Sequence, residues 1–394
     1  MNTPTRSLPA DVVPLRGFIP SLEGMRAFAS LGIIVTHVAF QTGAANSAVM
    51  GRIWGRFDLT VALFFALSGF LLWRPHAAQA RGLGRAQPFR QYFWSRAVRI
   101  LPAYWVVVTL VLLFLPNAGG SWRVWAANLS LTQVFVPLTL TEGMTQMWSL
   151  SVEVAFYLTL PIAAVLMVRL RGDSARYRIP VLFGAALLSL SWAFVPVSTP
   201  DAIHHDNWLP GYLAWFAAGM ILAEYSTRPR SWIHALAARR MLTYGIAVAA
   251  FALSATPLAG PQGLVRPEPW QFEVKIVLGA VLAFALLAPL VLADEPTRRH
   301  RVLEHPVILA LGRWSYGIFV WHLVILAMVF PVFGIIPFSG HFLLVLVVTT
   351  ALSIPVAAAS YALVEEPARR WGASALRAGV RKRSSEQRFS HTGA

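Results

Sequence analysis

Arg26 and His37 stand eleven residues apart with no charged residue between them. Three helical turns separate them, so on a helix they share one face, with His37 roughly 16 Å along the axis from Arg26. A guanidinium at one end of such a face binds anions, and an imidazole farther in can take up a proton near neutral pH. The pair could hold a charged donor while presenting a base to a hydroxyl. Glu153, one turn into the run opening Met147-Trp148-Ser149, and His322, after Ser315-Tyr316, are further ionisable groups in apolar surroundings. Each costs several kcal/mol there unless it is paired or faces a wet cavity. The depths of His37, Glu153 and His322 are compatible with one cavity, in which Glu153 would fix the tautomer of His37 or orient an acceptor. The same three residues would also suit a proton relay, so group transfer and proton-coupled transport both stay open.

A second cluster surrounds residue 95. Arg96 and Arg99, at i and i+3, share a helical face, with Tyr92, Phe93 and Trp94 just before them. Paired guanidiniums are suited to bidentate phosphate capture, and aromatic rings can stack on a base. The plainer alternative is that these arginines only enforce topology.

The elements that must carry these residues are membrane spans. Of 394 residues, 57% are hydrophobic and only 13% charged, with mean hydropathy +0.59; a soluble chain has about a quarter charged. Ten apolar stretches are each about long enough to cross a ~30 Å hydrocarbon core as helices: 26–43, 58–73, 100–116, 148–168, 180–196, 210–225, 241–258, 273–292, 312–331 and 342–363. They show no period-2 alternation, which excludes a barrel. The expected fold is all-α and polytopic, with a 1–25 N-terminal segment, a 26–370 transmembrane domain and a 371–394 basic tail containing Arg381-Lys382-Arg383. The longest connections are expected at 74–99 and 117–147.

The net charge of +16 does not point to nucleic acid, because the basic residues lie between apolar runs. With the N-terminus inside, 28 of the 33 basic residues fall on the inner side of this ten-span reading. Both termini are therefore expected in the cytoplasm. Zero cysteines remove thiol nucleophiles and Cys-metal sites. No metal site is expected, since His204-His205 has no acidic partner at ligand spacing and reads as a solvated loop pair. Ser68-Gly69 reads as a small pair for close helix approach rather than as a nucleophile.

The motifs together resemble a family. Leu22-Glu23-Gly24-x-Arg26 with His37, Phe64-Phe65-Ala66-Leu67-Ser68-Gly69-Phe70-Leu71 and Arg96-x-x-Arg99-Ile100-x-Pro102-x-Tyr104 are followed by Trp148-Ser149-Leu150-x-x-Glu153-x-x-Phe156-Tyr157. Then come Phe216-Ala217-Ala218-Gly219-Met220, Ser315-Tyr316-Gly317-Ile318 with His322, and Glu365-x-Pro367. In this order they are similar to the acyltransferase-3 family, integral membrane acyltransferases resembling those that acetylate O-antigen. The resemblance covers roughly 18–370 and implies transfer of an acyl group, commonly acetyl, from cytoplasmic acyl-CoA to a hydroxyl. It places the essential histidine on His37, its companion arginine on Arg26, the paired arginines on Arg96 and Arg99, and the motif glutamate on Glu153. The family more often has Asp at Glu23 and Gly at Ala27.

On this reading Arg26, Arg96 and Arg99 hold the phosphates of acyl-CoA, a co-substrate rather than a resident cofactor, and His37 is the general base. Trp148, Tyr316 and His322 are expected to line the acceptor site. The acceptor is a hydroxyl-bearing glycan, glycolipid or glycosylated metabolite. Ending about 30 residues after Glu365, the chain is expected to be the stand-alone form, lacking the esterase-like domain some members carry. Arginine outnumbers lysine 31 to two, as in high-GC bacterial genomes, so the expected location is a bacterial plasma membrane. The rivals are a proton-coupled transporter or acyl-group exporter, and a lipid-linked glycosyltransferase, for which Asp201 and Asp206 are the only attractive loop acids.

Overall fold

The computed structural model describes residues 17–376 apart from 117, 201–202, 262, 264 and 295–299. Arg6, Arg16, Asp201, Arg298, Arg299 and the basic stretch Arg381-Lys382-Arg383 lie outside the described residues.

Among the described residues every regular element is a helix: α1 (Pro20–Gln41), the short α2 (Met50–Gly55), α3 (Thr60–Ala80), α4 (Phe89–Phe114), the short α5 (Trp122–Leu129), α6 (Trp148–Leu166), α7 (Arg178–Ser189), α8 (Leu209–Tyr225), α9 (Trp232–Ala238), α10 (Arg240–Ser254), α11 (Pro269–Val291), α12 (Pro306–Val332) and α13 (Phe342–Ser360). Among the described residues eight stretches are long and apolar enough to cross a membrane, or nine if α9 and α10, bent by 85° at their junction, form one broken span. α8, with 17 residues, is at the short end of what crosses a bilayer. Each of the ten stretches read from the sequence coincides with a helix.

The helix ends differ from that reading where it matters most. α1 begins at Pro20, whose missing N–H costs nothing in a first turn. Arg26 is thus inside the helix, about 9 Å beyond its start. α4 begins just after Pro88 and carries Arg96 and Arg99 about 10 and 15 Å inward. These arginines are therefore helical rather than loop residues, and the expected 74–99 connection shrinks to 81–88 because α3 continues to Ala80. A hydropathy reading trims these turns because they bear arginine, although the guanidiniums face the interior.

α3 is the central helix. It packs on α8, α1, α11 and α6, while α1 packs on α12 and α12 on α13. Its contact with α8 needs small residues: a Cβ on Gly219 would sit 1.8 Å from the Ala66 carbonyl oxygen, and one on Gly69 2.2 Å from that of Phe216. The Ser68-Gly69 pair does mark a close helix approach, and the short separation aligns the Ser68 side chain for a second contact described below.

At one end of α3 and α8 lies a buried charge knot. Glu224, fully buried, accepts from Trp73 Nε1 at 2.7 Å, Arg81 Nη1 at 2.6 Å and Arg178 Nε at 2.7 Å. The knot ties α3, α7 and α8 together. Glu224→Ala leaves two uncompensated guanidiniums in an apolar setting, at a cost of about 3–5 kcal/mol. The expected outcome is a marked loss of monodisperse protein on size exclusion in mild detergent and a lower unfolding temperature.

Candidate active site

α1, α3, α4, α6 and α12 enclose a narrow cavity of about 80 Å³ whose wall includes Arg26, Arg96, Arg99 and Glu153, with Tyr157 and Tyr316. It adjoins a wider vestibule of about 360 Å³ that shares Arg26, Arg99, Ser315 and Tyr316 and adds Arg313, Glu365 and Arg369. Helix spacing explains the convergence. Arg96 and Arg99 are one turn apart on α4, and Arg26 faces them from α1. Arg26 has Glu23 one turn away, with Nη1 3.8 Å from Oε2, and the buried Nε of Arg96 has no hydrogen-bond partner. So many guanidiniums with so few carboxylates make the cavity an anion site.

Glu153 stands across from these arginines. Its Oε1 accepts from Ser68 Oγ on α3 and from Tyr157 OH at 2.6 Å, one turn along α6. The expectation that Glu153 orients His37 is therefore corrected: the carboxylate is turned towards Ser68 and the arginine cavity.

His37 is held instead by His322. His37 Nδ1 lies 2.9 Å from His322 Nε2, with ring centroids 5.1 Å apart and the planes inclined by 26°. His322 is fully buried, and its Nδ1 faces the carbonyl oxygens of Phe319 at 2.8 Å and Ile318 at 3.1 Å. Neither histidine is part of the cavity wall. Phe319 is, and its ring lies 6.1 Å from that of His322 and edge-on to Phe64 at 6.3 Å. An aromatic pair thus separates the cavity from the histidines.

The sequence matches the family model described as "Acyltransferase domain" over residues 19–358. The chain belongs to the acyltransferase-3 family. It is 28% identical over 314 residues to the acyltransferase MdmB of Streptomyces mycarofaciens, covering 78% of this chain and 79% of that protein. It is 23% identical over 386 residues to the peptidoglycan O-acetyltransferase OatA of Listeria monocytogenes, covering 91% of this chain. Of OatA it spans only 57% of the length. No solved structure matches. Membership decides between the chemistries that the residues left open: the chain is a membrane O-acyltransferase.

As a member of this family, the chain places its other expected residues as follows. Tyr316 lines both cavities and donates its hydroxyl to the Ile100 carbonyl at 2.8 Å, fixing α12 against α4. Trp148 sits at the first position of α6 and packs its ring 5.0 Å from Tyr212, away from the cavity wall. His205 is not solvated as expected but buried, as is Asp206, which Arg266 meets at 3.2 Å. Tyr157 and Glu365, motif residues with no expected role, also line the cavities, as do Arg313 and Arg369. Tyr157 was within reach of sequence reasoning, because Glu153 and Tyr157 are spaced i and i+4 on one helix face.

Ser315 is the smallest of the side chains that belong to both walls, where the vestibule meets the inner cavity. Ser315→Phe is expected to block this junction. Acyl transfer should fall strongly, while overpacking costs typically about 1–3 kcal/mol, which thermal unfolding in detergent would check.

Proposed function

We propose that the protein transfers an acyl group, by default acetyl, from acyl-CoA to a hydroxyl of a glycan, glycolipid or glycosylated metabolite, with His37 as general base. The observation that carries the reading is the layout of α1, with Arg26 in the wall of a three-arginine cavity and His37 on the same face roughly 16 Å farther along. The coenzyme's phosphates would rest against Arg26 and Arg99 at the vestibule and its pantetheine arm would run through the narrow cavity past Arg96. Its thioester would reach His37 beyond Phe64 and Phe319. The acceptor oxygen attacks the thioester carbonyl carbon as His37 takes its proton; the C–S bond breaks, and CoA leaves as a thiolate that recovers that proton. Glu153, holding Ser68 and Tyr157, would balance the guanidinium charge beside the passage and orient the acceptor. OatA is named for acetylating peptidoglycan, which supports an envelope glycan as the acceptor class.

The basic residues concentrated on one side of the spans support a cytoplasmic vestibule, both termini inside, and a bacterial plasma membrane as the location. A natural absence of cysteine makes this directly testable. Ser47 and Ser374 are both exposed. In intact cells a membrane-impermeant maleimide should label Ser47→Cys, whereas Ser374→Cys should react only after permeabilisation. The opposite pattern reverses the topology.

Membranes supplied with radiolabelled acetyl-CoA and envelope glycan test the chemistry. The unaltered protein should release free CoA and label the acceptor. His37→Ala should lose roughly 10²–10⁴-fold in kcat, and Arg99→Ala should raise the KM for acetyl-CoA. Undiminished transfer by His37→Ala would overturn the base assignment. An absence of CoA release by the unaltered protein would overturn the donor.

A further inference from the structure

We propose that His322 is a positioning residue that sets the tautomer of His37; this rests on His37 being the base. The argument is one of donors and acceptors. His322 Nδ1 faces two backbone carbonyl oxygens, at 2.8 and 3.1 Å, and carbonyls only accept. Nδ1 of His322 therefore carries the proton. A neutral imidazole has one donor and one acceptor nitrogen, so His322 Nε2 is the lone-pair nitrogen. Against it, at 2.9 Å, stands His37 Nδ1, which must then be the N–H. What remains on His37 is Nε2 with a free lone pair, the form in which an imidazole can accept a proton from an incoming hydroxyl. The proton on His322 is thus held by the α12 backbone and favours, one ring away, the Nδ1–H form of His37, whose ring also meets the Ile33 carbonyl one turn back on α1.

The geometry also carries the catalytic cycle. When His37 gains the acceptor's proton on Nε2, its Nδ1–H still points at His322 Nε2, and a neutral acceptor in that place stabilises the imidazolium. A carboxylate would do the same more strongly, but an ion pair at this depth brings a desolvation cost that a neutral pair avoids. Full burial of His322 keeps water from competing for the contact and from supplying a second acceptor that would scramble the tautomer. Both ring nitrogens of His322 are thereby engaged within the protein, which leaves it no free polar atom for the acceptor substrate.

The test separates an acceptor at the His322 Nε2 position from mere bulk. A Gln side chain reaches that position with an amide oxygen, whereas Asn stops at the level of Nδ1 and Leu offers no acceptor. In purified protein shown to be folded by thermal unfolding, His322→Gln should keep kcat within about tenfold, while His322→Asn and His322→Leu should lose roughly 10²–10⁴-fold, the range for general-base and tautomer loss. The KM for acetyl-CoA should stay unchanged in all three. The double variant His37→Ala/His322→Leu should be no slower than His37→Ala alone, because groups acting as one unit are not additive. If Leu fails to fold, the Gln and Asn variants decide the matter between them. Equal loss in Gln and Asn, or a change confined to KM, would overturn the positioning role. If His37→Ala keeps its activity, the underlying base assignment fails. If His37→Ala is inactive while His322→Asn and His322→Leu remain fully active, only the inference about His322 fails.

Discussion

In this fold every polar group set deep among apolar helices has to find its partner inside the protein, because the hydrocarbon around it offers none. Among the described residues the requirement is plain at three places. Glu224 takes two arginines and an indole N–H; Glu153 takes a serine and a tyrosine; His37 takes His322. The first joins α3, α7 and α8, the second joins α3 to α6, and the third joins α1 to α12. The polar contacts therefore act as cross-links between helices that apolar packing alone would leave free to slide.

The arginine cavity departs from this with charged groups, and it is informative for that reason. Arg96 Nε is buried without a partner, and Arg313 and Arg369 add further positive charge at the vestibule. Uncompensated guanidiniums in a low-dielectric setting are costly, so a site built this way is completed by an anion. That electrostatic incompleteness complements the histidine pair, in which both ring nitrogens of His322 are engaged. One region is arranged to receive charge, the other to hold a proton in a defined place, and α1 carries a member of each.

α3 makes the arrangement possible. Gly69 and Gly219 bring α3 and α8 to backbone contact. The close approach fixes the height of Ser68 beside Glu153 and of Phe64 beside Phe319, so the packing of small residues on one side of α3 sets the polar and aromatic geometry on the other.

Much of this could be read in the chain itself. The ten apolar stretches, the shared face of Arg26 and His37 and the pairing of Arg96 with Arg99 follow from local periodicity, because side-chain direction along a helix is set by 3.6 residues per turn. Family membership was readable for the same reason, since its motifs are short and helical. The helix ends were less so: hydropathy cuts a helix where arginine begins, whereas the chain continues helical from Pro20 and from Pro88 because those guanidiniums point inward. The partner of His37 on another helix was not readable. Glu153 and His322 are both intramembrane groups at depths suited to meeting His37, and no sequence rule distinguishes them. Which one meets it depends on the rotation of α6 and α12 about their axes, and that is decided by long-range packing: α12 lies directly on α1, while α6 packs chiefly on α3, α8 and α4.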